Sequence, residues 1–251
     1  MTYWPGWTDS KCARRLAWFW LTLTVSLPGF QYHQPWSCFA SEAGANDGRQ
    51  LAIRLEPISE ANQRLLLEEK EWQRRLKVDA EIFVVPADIA YAVPSGNVLL
   101  GQRLANRYVS GHDVGYALQA LAYIAAHEYG HQFQFRMTLG QIPGGPAAEL
   151  QADAIAGYWI GMRLREQVEE GLSEQEARKI ISLDERAAYD IGDYLFDSPE
   201  HHGTPKQRHA AVAEGIKSGY ERRVGAIFQS ITSANRLYSE TQTIVARLTE
   251  H

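Results

Sequence analysis

An α+β fold, mainly helical with a small antiparallel sheet or hairpin beside one central helix, is what this sequence predicts. Three observations carry the prediction. Apolar residues recur at helical spacing from about residue 113 onward, while short β-branched and aromatic runs cluster between residues 80 and 101. The 251 residues, 45% of them hydrophobic, are enough for one substantial core and too few for two comfortable ones.

The first segment reads as an address. Lys11, Arg14 and Arg15 precede the apolar run Leu16–Leu27, which ends at Pro28-Gly29 and fits a secretory h-region better than a bilayer span. Residues 1–40 are therefore expected to be a signal peptide, cut near Ala40, or an uncleaved N-terminal anchor. Export to a periplasmic or secreted location follows, with membrane association through the apolar run as the anchored alternative. Cys12 and Cys38 both fall inside this segment. A mature chain from about residue 41 has no thiol, so packing and a bound metal must do what disulfides do elsewhere.

Residues 41–54 have the composition of a short linker. Leu55–Leu76 reads as a charged amphipathic helix with Ile58, Leu65, Trp72 and Leu76 on its inner face and Glu68-Glu69-Lys70-Glu71 as a solvated face. Ala80–Pro86 is a short strand, and Ala90–Val93 with Val98–Leu100 around Pro94–Asn97 is a hairpin. The net charge of −5, with no Lys/Arg stripe, argues against nucleic acid as a partner.

The next helix carries the chemistry. Asp113 is its expected N-cap and Gly140 its stop, and Leu118, Leu121, Ala122, Ala125 and Tyr129 form its apolar stripe. Within it stands His127-Glu128-Tyr129-Gly130-His131. Residues four apart on a helix lie one above the other, so both imidazoles reach one ion while Glu128 faces its open position. Two surface histidines and a glutamate would satisfy the same letters, so a third ligand is the test. Pro146 after Gly144-Gly145 opens another helix, and Glu149 and Asp153 lie one turn apart on it. One carboxylate can complete a three-ligand zinc site, and the other can accept the free N–H of a ligating histidine. Ala147, Leu150, Ala154, Ile155 and Tyr158 give this helix a face to pack, and a carboxylate at its edge needs a partner.

Ser173 and Glu176 form a capping box that starts a helix running towards Phe196. Thr204, Pro205 and Gln207 start another after the loop holding His201 and His202. Arg208 is placed to pair with Asp153 or another buried acid. Ile227, Ile231, Leu237, Ile244 and Leu248 suggest a helical hairpin at residues 226–251, beyond a catalytic domain at 55–225.

These motifs resemble the gluzincin metallopeptidases and, more narrowly, the bacterial neutral zinc metallopeptidase family. The matching pieces are Ala126–His131, Glu149–Asp153 with Ala156–Trp159, Ala187-Ala188 to Ile191–Asp193, and His202–Arg208 leading to Gly215 and Gly219, in the family's order across roughly residues 80–220. The chain departs from the family at Ala154, commonly a cysteine, and at Gln132, commonly a histidine. Ala90–Gly101 is also similar to the hairpin of membrane-associated zinc peptidases, whose several transmembrane helices this chain lacks. The resemblance implies a zincin-like fold and one zinc ion held by His127, His131 and Glu149, with Glu128 as general base. It places His202 in the active site, on the developing oxyanion or on groups that hold the ligands. Tyr189 and Tyr194 are further candidates for the oxyanion. The expected function is zinc-dependent hydrolysis of peptide or protein substrates, and the alternative is a non-catalytic zinc-stabilised scaffold or binding protein.

Overall fold

The computed structural model describes residues 52–94, 96–139, 144–193, 202–221 and 231–249. The segment expected to be an address, both cysteines, Gly140, Tyr194, His201 and Ile227 lie outside them. Among the described residues no helix is long and apolar enough to cross a membrane. Among the described residues there are seven helices and a four-stranded sheet, in keeping with a mainly helical α+β class.

The sheet is mixed, not the simple antiparallel hairpin expected. It consists of β1 (Ile53–Arg54), β2 (Glu81–Val85), β3 (Ala90–Val93) and β4 (Asn97–Gly101) in the order β1-β2-β4-β3. The hairpin β3–β4 forms, but β4 also pairs in parallel with β2, Ile82 opposite Val98 and Val84 opposite Leu100. Parallel strands need a crossover, and here β3 with its flanking turns is that crossover. The turn after β2 passes so close over Gly101 that a Cβ there would lie 2.4 Å from the Ala87 carbonyl oxygen. Only glycine fits.

The expected linker gives up its last residues to β1, because Arg54 has a buried anion to meet. Glu69, expected on a solvated face, is 2% exposed, accepts the Ile82 N–H at 2.7 Å and is paired with Arg54. Helix α1 (Glu60–Leu76) starts later than expected, at the Ser59 cap, whose hydroxyl accepts the Asn62 N–H. Ile58 therefore precedes the helix and is 62% exposed, whereas Trp72 and Leu76 are buried as predicted. Trp72 stacks on Tyr129 with ring centroids 4.3 Å apart, and the Tyr129 hydroxyl donates to the Ala80 carbonyl at 2.7 Å. These contacts lock α1 and β2 against the motif helix.

Helix α2 (Gln102–Gly111) leads directly into α3 (Val114–Met137), capped by Asp113 as expected. Helix α3 is buried on nearly every side, because the sheet, α1 and the later helices all pack around it. Helix α4 (Pro146–Glu169) begins at the predicted proline, but Ala147 is exposed and the packed face starts at Ala148. Helix α5 (Glu174–Asp190) has the predicted capping box and ends at Asp190, short of Phe196. Near its middle Asp184 is fully buried and accepts a hydrogen bond from Gln119 Nε2 at 2.8 Å.

Helix α6 (Pro205–Glu221) lies against α4 at backbone contact. A Cβ on Gly215 would sit 2.3 Å from the Ala154 carbonyl oxygen, and one on Gly219 2.0 Å from that of Tyr158. Gly157 and Gly161 face α6 just as closely from the other side. Helix α7 (Ile231–Thr249) packs on this pair, with Ile244 and Val245 against Leu150, Ala154 and Ala211. Of the residues expected to form a C-terminal helical hairpin, those described form one helix that packs on the core and buries Leu237 and Ile244.

Candidate metal centre

Helices α3 and α4 touch where Gly130 faces Ala152, and a Cβ on Gly130 would lie 2.7 Å from the Ala152 carbonyl oxygen. Beside this contact, His127 one turn before Gly130 and His131 next to it meet Glu149, one turn before Ala152. His127 Nε2 is 3.2 Å from Glu149 Oε2, His131 Nε2 is 3.3 Å from Glu149 Oε1, and the two Nε2 atoms are 3.1 Å apart. All three side chains are buried, and together they could hold a metal ion.

Hydrogen bonds on the far sides of the rings decide the protonation of the near sides. His127 Nδ1 faces Asp153 Oδ1 at 2.7 Å. Asp153 is ionised: burial opposes its charge, but Arg208 and His127 bring it down to about 2. His131 Nδ1 faces Gln134 Oε1 at 2.7 Å, and the amide is oriented by its own Nε2, which donates to the Ala148 carbonyl at 2.8 Å. With a carboxylate or amide oxygen beside each Nδ1, a proton there would leave both Nε2 lone pairs free for a shared cation. Burial works against the charge of Glu149 as well, yet His131, His127 and His202 hold it well below the usual carboxylate range. Three electron-rich atoms converging without a proton between them repel one another, and a shared cation is what reverses the sign. Among the described residues Arg208 is the one fully buried guanidinium, and it is buried with the carboxylates of Glu149 and Asp153.

Asp153 and Arg208 meet as the sequence predicted. The guanidinium donates from Nε to Asp153 Oδ2 and from Nη2 to Asp153 Oδ1, both at 2.8 Å, a two-point pair. Glu128 is fully buried one position along from His127, and neither of its oxygens has a hydrogen-bond partner. Burial raises its pKa against the pull of His127 and His131. His202 is buried, with Nδ1 3.4 Å from Glu149 Oε2, so it stands beside the third donor. Its backbone N–H is held by Asp193 Oδ2 at 3.0 Å. Tyr189 is 43% exposed on α5, in contrast to the buried donors, and Tyr194 lies outside the described residues.

Two residues of the centre escaped the sequence reading. The Tyr123 hydroxyl donates to Asp153 Oδ1 at 2.5 Å, and Gln134 holds His131. Tyr123 is one turn before His127 and Gln134 one turn after His131, so helical spacing was the available signal. Gln132, where the resembled family has a histidine, donates from Nε2 to the carbonyls of Val93 and Asn97, both at 2.9 Å, and ties the hairpin to α3. No family model, curated protein or solved structure matches the chain.

Proposed function

We propose that this chain is a zinc-dependent endopeptidase of the gluzincin type on a zincin-like fold. The observation that carries the reading is the convergence of His127, His131 and Glu149 with an unpartnered Glu128 beside them. Two imidazoles and a carboxylate, with one coordination position left open, are the donor set of a catalytic zinc. When bound, zinc supplies Lewis-acid polarisation of a carbonyl and makes water acidic enough to lose a proton near neutral pH.

The protein's own residues do the rest. Glu128 takes a proton from the attacking water and returns it to the leaving amine, a transfer suited to a carboxylate raised by burial. Asp153 and Gln134 keep the ligating rings in one tautomer, and Arg208 and Tyr123 hold Asp153. Strand β3 is an edge of the described sheet and is tied to α3 by Gln132, so an extended peptide backbone can add alongside it.

Cleavage of an unstructured protein substrate with and without chelator, beside metal analysis, tests this. Glu128→Gln is expected to retain one zinc and lose turnover by at least about 100-fold, the usual worth of general-base catalysis. Activity that survives that substitution, or is indifferent to chelator, refutes the reading. One observation favours a second reading, a zinc-stabilised scaffold: His127, Glu128, His131 and Glu149 are each at most 3% exposed. Stoichiometric zinc with no cleavage by the wild type selects it.

A further inference from the structure

A line of hydrogen bonds runs from α7 to a metal donor on α3. Thr241 is fixed by its own helix, its hydroxyl donating to the Leu237 carbonyl at 3.0 Å or to that of Tyr238 at 2.9 Å, which leaves its oxygen as an acceptor outward. Gln151 Nε2 donates to that oxygen at 3.1 Å and to the Tyr238 carbonyl at 3.2 Å. Both partners accept, so the Gln151 amide has one orientation, with Oε1 turned towards α3. There it receives Gln134 Nε2 at 3.0 Å, and Gln134 in turn offers Oε1 to His131 Nδ1 at 2.7 Å. His131, Gln134, Gln151 and Thr241 are each no more than 6% exposed, so bulk water cannot stand in for a missing member.

We infer that α7 positions His131 for the metal, with Thr241, Gln151 and Gln134 as the positioning residues. The inference rests on the metal reading proposed above. Gln134 Nε2 has two acceptors, the Ala148 carbonyl at 2.8 Å and Gln151 Oε1; without the acceptors on α7, Gln151 can turn its NH2 towards Gln134, Ala148 alone then holds that amide, and a larger share of it turns its NH2 towards His131. An NH2 facing Nδ1 selects the other tautomer of the ring, whose proton sits on Nε2, the atom that faces His127 and Glu149. A nitrogen carrying that proton cannot ligate. The relay therefore acts on His131 alone, while His127 is governed by Asp153.

The experiment uses the full chain in two states. In the metal-free state, imidazole nitrogen NMR reads the tautomers of His127 and His131. In competition with a chromophoric chelator, the zinc affinity is read. Wild type is expected to show Nδ1–H on both rings. Gln134→Leu weakens zinc by about 10- to 100-fold, and Gln151→Leu and Thr241→Val weaken it measurably but less, since the Ala148 carbonyl still holds Gln134 in both. In these variants His131 shifts towards the Nε2–H form with His127 unchanged. Thr241→Ser restores the hydroxyl and the affinity, and Thr243→Val, the same change on the exposed side of α7, has no effect. Equal disturbance of both rings, or unchanged affinity and tautomer in Thr241→Val and Gln151→Leu, overturns the inference. Should Gln151→Leu not fold, Thr241→Val, which exchanges one hydroxyl for a methyl, carries the test. A wild type that binds no zinc sinks the metal reading, while the His131 tautomer in the metal-free chain still decides the relay.

Discussion

Asp184 offers a stability prediction that is independent of the metal. Its carboxyl is fully buried on α5, one oxygen accepting from Gln119 and the other without a hydrogen-bond partner. Burial, opposed in part by Gln119 and reinforced by Glu185, pushes its pKa up to about 8. An acid raised in the folded state binds its proton more tightly there than in the unfolded chain. Its contribution is greatest below the unfolded value of about 4 and declines by about 1.4 kcal/mol per pH unit until about pH 8. Asp184→Asn keeps the acceptor for Gln119 and cannot ionise. Relative to wild type it is expected to gain little at about pH 4 and about 4 kcal/mol at about pH 7. Urea unfolding of both proteins across that range measures the difference, and every other titrating group cancels between them. A difference independent of pH would refute the argument, because it would mean that Asp184 ionises alike in the folded and unfolded chains.

Three further substitutions probe the packing and charge around the centre. Arg208→Met strands the Asp153 carboxylate in the core and is expected to cost about 3–5 kcal/mol, read by denaturant titration. Arg208→Lys recovers only part of this, since a lysine cannot make the two-point pair. Gly219→Ala forces a methyl to within 2.0 Å of the Tyr158 carbonyl oxygen, so a loss of about 3 kcal/mol is expected in thermal unfolding, with weaker binding of the proposed zinc as α6 carries Arg208 outward.

The parts of the fold legible in the sequence are those written in local spacing. His127, Glu128 and His131 could be placed because one helix sets their separation, and Ser173, Thr204 and Pro146 because caps act within a single turn. The pairing of Asp153 with Arg208 was legible as chemistry, a buried acid needing a cation, though 55 residues separate the two. The parallel pairing of β2 with β4 was not, because it depends on a close passage over Gly101 that leaves no periodic trace. The burial of Glu69 was hidden for a like reason, since its partners Arg54 and the Ile82 N–H come from other segments. Gln134 carries no motif, Gln151 stands inside Glu149–Asp153 without an assigned role, and the part of α7 appears only when its hydrogen bonds are followed residue by residue.

The four glycines between α4 and α6 act as a gauge. With two backbones in contact at Gly157, Gly161, Gly215 and Gly219, the helices mesh at one setting, and sliding by a single turn would shift Arg208 by about 5.4 Å along α4. A guanidinium displaced that far loses Asp153, and the imidazole that Asp153 steadies loses its orientation. Tolerance to mutation along this seam is therefore set by ångström-scale clearances, and selection acting on the chemistry would act equally on residues that have no side chain to contribute.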